Sequence, residues 1–543
     1  MNKYMMKNNM NNIIKTLIDY SKYRVYASIS FAVLLLGVGV PLWWHTTAVL
    51  RADLPYAGIA SLSKLDTKIY CKIYLAAISD NRAKLLTDEI TKFFHNSELY
   101  KVNVSHEVIS SSLVSSSFTP SDYEKVASSF DLKVGELLLL EAPNLSSVVV
   151  GTSRSVFYPS DTSGIKLAQI LSQWILRDKS LALTRNALAD PTKYSLDEDN
   201  RRRFPASPAY DILLTMINPD PEKLKINLNL AQLSENYIEP FLQHLSIVAN
   251  YSVKSQWLYL MPLDVKPKLV KDSTRLGKHY ALSEDVLPQL ITPLEKKLGS
   301  QMSLHPCINL VAYAVPCENS PIYIYTKAGH KSKFLNNVEA FLSPRWGGVI
   351  ISNPPADVCE EAKSDEPVEV VPSDVTIMGV FLAQLRVLIG IPDPEDIIPG
   401  AQVTPLVGSK PRDWELDALL RIRAIEQLTS AKLTLQSLAQ LLGEISNIVI
   451  TETVGNRIKN ALNLVELSAN KLENGYLTEG FLLSKEAFIT AEAAFTDPSL
   501  LALLYFPDDQ KYAVYIPLFL PVMIPVLLSL KNIKRYYFPS SSK

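Results

Sequence analysis

The sequence predicts an α/β domain in which helices pack on a mixed sheet, followed by a helical segment, with a transmembrane helix flanking this region at each end. Three patterns support the prediction. Uncharged apolar runs lie near both termini, strand-like and helix-like stretches alternate from residue 67 to about 393, and apolar residues recur at helical spacing after Arg412. With 543 residues, of which 47% are apolar, the chain can bury a large core and is not a disordered protein.

The net charge of −1 conceals an uneven distribution of charge along the chain. Residues 1–24 and the last 13 residues each carry a net charge of +4, so the residues between them carry −9. The chain as a whole lacks the clustered Lys and Arg residues that nucleic-acid binding requires, and we expect no nucleic-acid partner. Positive termini around a mildly acidic middle instead indicate membrane spans near the two ends.

The first apolar run, residues 25–44, contains twenty residues without a charge. At about 1.5 Å per residue, a helix of this length crosses a hydrocarbon core of about 30 Å. Arg24 precedes the run, and Trp43 and Trp44 end it with side chains that prefer the level of the lipid headgroups. A cleaved signal peptide is the alternative, but its apolar region would be shorter, at about 7–15 residues, so we predict a retained anchor.

The second apolar run, residues 512–530, is uncharged over nineteen residues and contains three prolines. Pro517, Pro521 and Pro525 are four residues apart and therefore lie on one face of a helix. Each proline lacks an N–H and disrupts the pairing of a carbonyl one turn earlier, which lipid cannot satisfy. We predict that this face contacts a helix of a partner protein; the alternative is a kinked helix that faces lipid.

The distribution of Lys and Arg around the two runs predicts the orientation of the chain. Five basic residues precede the first run and two follow it closely, whereas one precedes the second run and four follow it. Residues 1–24 and 531–543 are therefore predicted to be cytosolic tails, and residues 45–511 to be translocated. Three N-glycosylation acceptor triplets begin at Asn103, Asn144 and Asn250, all within the translocated region.

Residues 45–400 are predicted to form the α/β domain, with helices packed on a central sheet. The stretch 81–99 indicates a helix, because Leu85, Ile90 and Phe94 recur at helical spacing. Its neighbours and several later stretches are rich in β-branched and aromatic residues, as strands are. The strand candidates are KIYCKIYLAAI, YKVNVSHEVI, ELLLLEA, SVVVGTS, AYDILLTMI, QWLYLMPL, INLVAYAV, IYIYTKA and GGVIIS.

Residues 401–511 are predicted to form a helical segment that leads into the second span. Before it, Ser373 is positioned to cap a helix over residues 375–388, and a proline-rich connector follows. Two apolar stripes then predict amphipathic helices, and a third helix-favouring run continues to Phe495. The stripes consist of Leu428, Ala431, Leu435, Leu438, Leu442 and Ile445, and of Ile458, Leu462, Val465, Ala469 and Leu472.

The sequence contains no recognisable motif of a catalytic, nucleotide-binding or metal-binding site. His305 and Cys307 are two residues apart, but no third residue at a suitable spacing completes a nucleophilic or metal site. We therefore predict no catalytic, cofactor-binding or metal-binding residues.

The four cysteines become available for disulfide bonds if this region enters an oxidising compartment. Cys71, Cys307, Cys317 and Cys359 allow three complete pairings, among which the sequence does not decide. Cys307 and Cys317 flank one predicted strand and lie too far apart in an extended chain to pair without a bend. Cys307, Cys317 and Cys359 are the disulfide candidates, and free buried thiols are the alternative.

Three segments resemble one known family. They are GVGVPLWWHTTAVLRADLPY at residues 37–56, SPRWGGVIISNP at residues 343–354 and FTDPSLLALLYFPDDQKYAVYIPLFLPVMIPVLLSL at residues 495–530. They resemble the S subunit of the glycosylphosphatidylinositol (GPI) transamidase complex, the phosphatidylinositol glycan class S family. The order of tail, span, long region, span and tail is also similar. The resemblance implies a protein of the endoplasmic reticulum membrane whose translocated region is lumenal.

The same resemblance implies a role for the chain. The family's complex removes a C-terminal signal from a protein and joins the new carboxyl end to a GPI anchor, and this chemistry belongs to a different, cysteine-protease-like subunit. We therefore expect a non-catalytic structural subunit without cofactors, whose partners are the K, T, U and GPAA-type subunits, membrane lipid and GPI. A lumenal receptor that presents GPI or substrate is the alternative, and a lumenal hydrolase is a further one.

Overall fold

A computed structural model of the chain divides it into two compact units. The described residues are 2–47, 51–110, 118–271, 277–327, 338–361, 367–391, 401–406, 408–445, 448–502 and 508–537. One unit, the terminal unit, comprises Met1–Ala60, Thr434–Asn460 and Ala491–Lys543. The other, the α/β unit, comprises Ser61–Leu433 and Ala461–Thr490.

Strands and helices alternate along most of the described chain. The strands are β1 (Ile69–Ala77), β2 (Tyr100–Val108), β3 (Leu137–Glu141), β4 (Val148–Val150), β5 (Ser155–Tyr158), β6 (Ala209–Asn218), β7 (Leu224–Ile226), β8 (Asn250–Tyr259), β9 (Lys268–Val270), β10 (His279–Ser283), β11 (Cys307–Ala314), β12 (Ile322–Tyr325), β13 (Val338–Ser343), β14 (Gly347–Ser352), β15 (Val368–Val370) and β16 (Ala401–Val403). The α-helices are α1 (Asn2–Val33), α2 (Val40–Thr47), α3 (Tyr56–Ser61), α4 (Asp80–Phe94), α5 (Pro120–Ala127), α6 (Gly164–Ile170), α7 (Asp178–Ala189), α8 (Glu198–Arg202), α9 (Leu230–Leu233), α10 (Glu239–His244), α11 (Leu287–Lys297), α12 (Ala356–Glu361), α13 (Asp374–Ile389), α14 (Asp413–Glu444), α15 (Glu452–Glu473), α16 (Leu477–Phe495), α17 (Pro498–Ala502) and α18 (Asp508–Tyr537).

The described strands form four sheets rather than the single central sheet that the sequence predicted. The largest has six strands in the order β16–β4–β5–β3–β1–β2, and the next has five in the order β13–β14–β11–β6–β8. Both are mixed, because β4 runs antiparallel to β5 and β13 antiparallel to β14. The mixed α/β class is therefore confirmed. The single sheet is wrong because strands pair mainly with strands close to them in sequence.

Buried apolar residues explain several of these elements. β3 is buried at all five positions and β6 at nine of its ten, as expected of strands covered on both faces. Helix α4 buries Leu86, Ile90 and Phe94, whereas Leu85 is exposed. The helix predicted from this spacing is present, but Leu85 does not share its buried face, because a helix turns by about 100° per residue and Leu86 takes the inward position.

Two predictions about helices are confirmed. Ser373 caps α13, since its Oγ accepts a hydrogen bond from the N–H of Thr376 at 3.4 Å. Both apolar stripes are buried, except that Ile445 at the end of the first is half-buried. The proline-rich connector lies partly outside the described residues, which omit residues 392–400.

The first half of α14 belongs to the α/β unit and joins its two large sheets. The indole N–H of Trp414 donates to the carbonyl of Gly151, which follows β4, at 2.9 Å. About two and a half turns later on the same helix, Arg423 donates to the carbonyl of Phe204, ahead of β6, at 3.0 Å. The α/β unit thus extends into α14 as far as Leu433.

In the terminal unit, one helix in the described part of the chain is long and apolar enough to cross a membrane by length and composition. It covers Ile13–His45, which includes the predicted span 25–44, and its helical backbone begins at Asn2. The second predicted span falls within α18, where Ala513–Ser529 is a shorter apolar helix. The described residues thus contain one helix that is long and apolar enough to cross a membrane, Ile13–His45, and a shorter apolar helix, Ala513–Ser529.

Candidate functional site

The two apolar helices of the terminal unit pack against each other. Trp43, near the end of the first, lies between Tyr515 and Phe519 of α18, with ring centroids 5.7 Å from each. Edge-to-face contacts with centroids about 4.5–7 Å apart are favourable for aromatic rings. Val25 on α1 and Val526 on α18 are buried, although both helices are otherwise mostly exposed. One face of α18 is therefore occupied by the first apolar helix.

The three prolines of α18 lie on its opposite face. Pro517 and Pro521 each follow by two residues, or about 200° around the helix, an aromatic residue that contacts the first helix. All three prolines, including Pro525, are exposed, as are Ile524 and Leu528 on the same side. Because each proline lacks an N–H, this face combines apolar side chains with weakened backbone pairing. We call it the proline face.

Cys307 lies at the start of β11 in surroundings that disfavour the thiolate. Burial, and the negative charge of Asp211 on β6, raise the pKa of the Cys307 thiol to about 11. Its Sγ donates to Oδ1 of Asn309 at 3.8 Å. Reactive cysteines need the opposite shift, toward a lower pKa, and a base that removes the proton. The arrangement around Cys307 therefore does not resemble that of a nucleophile.

His305 does not orient the Cys307 thiol by any hydrogen bond of its ring in this structure. Its backbone N–H and carbonyl both bond the hydroxyl of Ser303, at 3.2 and 2.8 Å. That hydroxyl also donates to Asp211, and Lys254 donates to the same carboxylate at 2.6 Å. Although burial opposes ionisation of Asp211, these hydrogen bonds lower its pKa. The Asp211 carboxylate is thus ionised and bonded to Lys254 and Ser303, rather than positioned as a base for Cys307.

The structure joins two of the candidate cysteines. Cys317 and Cys359 form a disulfide with their Cα atoms 5.2 Å apart, whereas Cys307 and Cys71 are free. Burial raises the pKa of Cys71 to about 11. Among the residues that the structure describes, no group of three His, Cys, Asp or Glu side chains is arranged to hold a metal ion.

The three acceptor asparagines are exposed in the α/β unit. Asn103 lies on β2, Asn144 follows β3, and Asn250 begins β8. The amide of Asn103 donates to the hydroxyl of Tyr70 at 2.9 Å. The amide of Asn144 donates to the carbonyl of Phe118 at 2.5 Å. Exposure of all three side chains is compatible with glycan attachment.

A group of buried charged residues on α14 was not singled out in the sequence. Asp417 accepts two hydrogen bonds from Arg154, at 2.6 and 2.9 Å, and is fully buried. Glu426 accepts from Arg203 at 2.7 Å and from Arg423 at 3.0 Å. Buried charges are tolerated when they are paired in this way. The sequence feature that could have indicated this group is the density of charged residues between residues 412 and 426, in an otherwise apolar helix.

A cavity of about 310 Å³ in the α/β unit lies between α7 and α14. Arg185 and Lys432 both line it, and partial burial together with the charge of Arg185 lowers the pKa of Lys432. Arg185 also pairs with Asp66 and Glu98, each at 3.1 Å, so the positive charge is partly balanced. The described lining residues include no His or Cys that could act as base or nucleophile.

Comparison with known proteins covers nearly the whole chain. The model of the family described as phosphatidylinositol-glycan biosynthesis class S protein matches residues 30–539. The GPI-anchor transamidase component PIGS of Homo sapiens is 35% identical over 541 residues, which cover 93% of this chain and 94% of the relative. The GPI transamidase component PIG-S homolog of Schizosaccharomyces pombe is 24% identical, over 94% of this chain and 84% of the relative. The GPI transamidase component GPI17 of Saccharomyces cerevisiae is 22% identical, over 96% and 93%.

Proposed function

The chain belongs to the family described as phosphatidylinositol-glycan biosynthesis class S protein, and from this premise we propose that it is a structural subunit of a GPI transamidase complex. The end-to-end similarity to relatives named as transamidase components carries the proposal. We propose further that the subunit is non-catalytic. The partly buried thiol of Cys307 supports this, because its pKa is raised to about 11 and no hydrogen bond from the His305 ring activates it.

The proposed location is the endoplasmic reticulum membrane, with both termini in the cytosol. In this arrangement residues 25–44 and 512–530 span the bilayer, residues 1–24 and 531–543 are cytosolic, and residues 45–511 are lumenal. The candidate span Ile13–His45 and the apolar helix Ala513–Ser529, packed on each other through Trp43, support the paired spans. The proposed partners are the K, T, U and GPAA-type subunits that the family resemblance implies.

Loss and restoration of GPI anchoring test the proposed function. In cells that lack the native subunit, the wild-type chain should restore a GPI-anchored reporter at the cell surface and co-purify with the other subunits. Cys307→Ser and His305→Ala should each restore anchoring to a similar level whenever the complex assembles. A fall of several orders of magnitude in anchoring with full assembly would identify a catalytic pair instead. Failure of the wild-type chain to co-purify would contradict the subunit role.

We propose that the proline face contacts a helix of another subunit. The first apolar helix occupies the other side of α18, so the exposed prolines are free to meet a partner. A neighbouring helix allows close approach at the prolines and supplies side chains to the unpaired carbonyls, which lipid does not. The alternative is a kinked helix that faces lipid.

Replacing Pro517, Pro521 and Pro525 with Leu tests this contact. The triple variant should reduce recovery of the other subunits while the α/β unit remains folded, because the new side chains fill the space that the partner helix needs. A variant with Leu518→Val and Val522→Leu is the matched control, since both residues are exposed on α18 outside the proline face. Unchanged recovery with the triple variant would leave lipid as the neighbour of this face.

A further inference from the structure

Strand β8 forms a free edge of the five-stranded sheet. It pairs in parallel with β6 along all ten residues, Asn250–Tyr259, and no described strand pairs with its other side. The N–H of Asn250 donates to the carbonyl of Pro208 at 3.0 Å, so the even-numbered residues bond toward β6. Because backbone groups alternate in direction along a strand, the odd-numbered residues 251–259 point their N–H and C=O groups away from the sheet.

This edge lacks the features that usually protect a strand from pairing with another chain. Natural edge strands often carry outward charges or prolines. The one charged residue in β8, Lys254, directs its ammonium group to Asp211 on β6, at 2.6 Å. The β2 edge of the six-stranded sheet differs, because it carries exposed Lys101 and Glu107, although β2 and β8 each contain an acceptor triplet, at Asn103 and Asn250. The two free edges are therefore not equivalent.

Large apolar side chains lie exposed at the end of β8 and in residues 302–304, at and after a turn that contacts the Gln256 side chain of β8. Tyr259 and Leu260 at its end are 55% and 70% exposed, and Met302 and Leu304 are 88% and 96% exposed. Met302 ends a turn that donates a backbone N–H to the side chain of Gln256 at 3.2 Å, which places the turn beside the strand. Exposed apolar groups next to unpaired backbone are typical of a protein interface.

We propose that β8 is a docking strand, along which an extended segment of another protein subunit adds to the five-stranded sheet. A row of outward N–H and C=O groups about 30 Å long, at about 3.3 Å per residue, is matched by another polypeptide strand. A lipid or a glycan does not present donors and acceptors at that regular spacing. The identity of the partner as a transamidase subunit rests on the proposed function.

A proline at an outward-facing position tests the docking strand. Ser255 is exposed, and its N–H points away from β6, so Ser255→Pro removes an outward donor without breaking the bonds to β6. In cells lacking the native subunit, tagged full-length Ser255→Pro should recover at least one other subunit about tenfold less well than wild type, because several strand hydrogen bonds are lost together. Ser255→Thr should recover the complex normally, and so should Val108→Pro at an outward position of β2.

A second variant avoids any dependence on how Ser255→Pro folds. Met302→Asp combined with Leu304→Asp changes only highly exposed side chains and should weaken recovery of the same subunit. Normal recovery with both variants would overturn the docking strand while leaving the proposed function intact. Loss of self-association in native gels, with unchanged recovery of other subunits, would assign the edge to a second copy of this chain and overturn the proposed partner. Failure of the wild-type chain to co-purify would instead contradict the proposed function.

Discussion

Cys307 illustrates how the surroundings of one residue separate two functional classes. Its distance of two residues from His305 suits a catalytic pair only if the thiol loses its proton readily. Burial and Asp211 do the reverse, since they raise the pKa of the thiol to about 11. The sequence contained both residues but not the burial, and burial determines the chemistry here.

The thiol of Cys307 should therefore react slowly with alkylating reagents. At pH 7.4 a raised pKa leaves only a small fraction as thiolate, and alkylation should be about a hundredfold slower than for an unhindered free thiol. The rate should rise as the pH approaches 11. Iodoacetamide labelling followed by peptide mass spectrometry measures this rate in a Cys71→Ser background. The denatured chain is the control and should react normally; rapid labelling of the folded chain at pH 7.4 would contradict the assignment.

Glu426 is the buried residue whose charge should contribute most clearly to stability. Burial alone would disfavour its charge, but Arg203 and Arg423 overcome this and lower its pKa. A carboxyl with a lowered pKa in the folded state stabilises the protein above its unfolded pKa. That contribution is lost as the pH falls through the folded pKa, so the loss of stability occurs below about pH 4.5.

Glu426→Gln should destabilise the α/β unit at pH 7 by about 3–5 kcal/mol, because it leaves two buried guanidinium groups without their carboxylate. The difference from wild type should shrink as the pH falls below 4.5, where wild type loses the same charge. Urea unfolding of the purified full-length chain at pH 7 and at acidic pH measures both effects. Glu198→Gln removes an exposed partner of Arg202 and should cost less than about 1 kcal/mol. Equal costs for the two variants would contradict the role of Glu426.

At the scale of elements, local sequence patterns predicted individual helices and caps, but not which strands pair with each other. Apolar stripes on α14 and α15 and the cap at Ser373 depend on neighbours within a few residues, and the structure agrees with them. The division into several sheets depends on which strands pair, and no periodicity encodes that choice. The short strand β16 illustrates the difficulty, because it pairs with β4 about 250 residues earlier in the chain.

The buried charges of α14 escaped prediction for a related reason. A charged residue in a sequence normally indicates a solvated surface. Asp417 is buried beside Arg154, more than 260 residues earlier, which supplies a matching guanidinium group. The free edge at β8 is equally non-local, since whether a strand lies at the edge is decided by the other strands. Candidate sites built from such contacts become visible only in the folded chain.

The disulfide links the segment that follows β11 to α12, which follows the neighbouring strand β14. Cys317 follows β11 and Cys359 lies in α12, 42 residues later. Closing a loop of this length restricts the unfolded chain and is expected to contribute about 4 kcal/mol in the chain-entropy description. Replacing both cysteines with Ser should lower the free energy of unfolding by about 2–4 kcal/mol.

Unfolding with and without reductant measures this contribution. Dithiothreitol should destabilise wild type by a similar amount and leave the Cys317→Ser, Cys359→Ser variant unchanged. A variant in which Cys307 alone is replaced is the control, because that thiol is free in the structure. Equal sensitivity of the double variant and wild type to reductant would show that another pair of cysteines is bridged.

At the scale of the whole molecule, the acceptor asparagines and the charges at the chain ends bear on the same topology. Asn103, Asn144 and Asn250 are exposed in the α/β unit, which lies between the two proposed spans. Basic residues exceed acidic ones in both proposed tails, as expected of cytosolic segments. If residues 45–511 are lumenal, the three asparagines face the enzymes that attach glycans.

At least one of Asn103, Asn144 and Asn250 should carry a glycan, so glycosidase treatment of microsomal protein should increase its gel mobility. The variant with all three changed to Gln should already migrate at the faster position and show no further shift, which makes it the control.

Protease added outside sealed microsomes should remove only the short tails, since the bilayer shields the region between the spans. An epitope placed after Lys543 should be lost under those conditions, whereas one in the α/β unit should be retained until detergent opens the vesicles. Cleavage within residues 45–511 in sealed vesicles would contradict the proposed topology, because it would place this region outside the lumen. Unchanged gel mobility after glycosidase treatment would support the same conclusion.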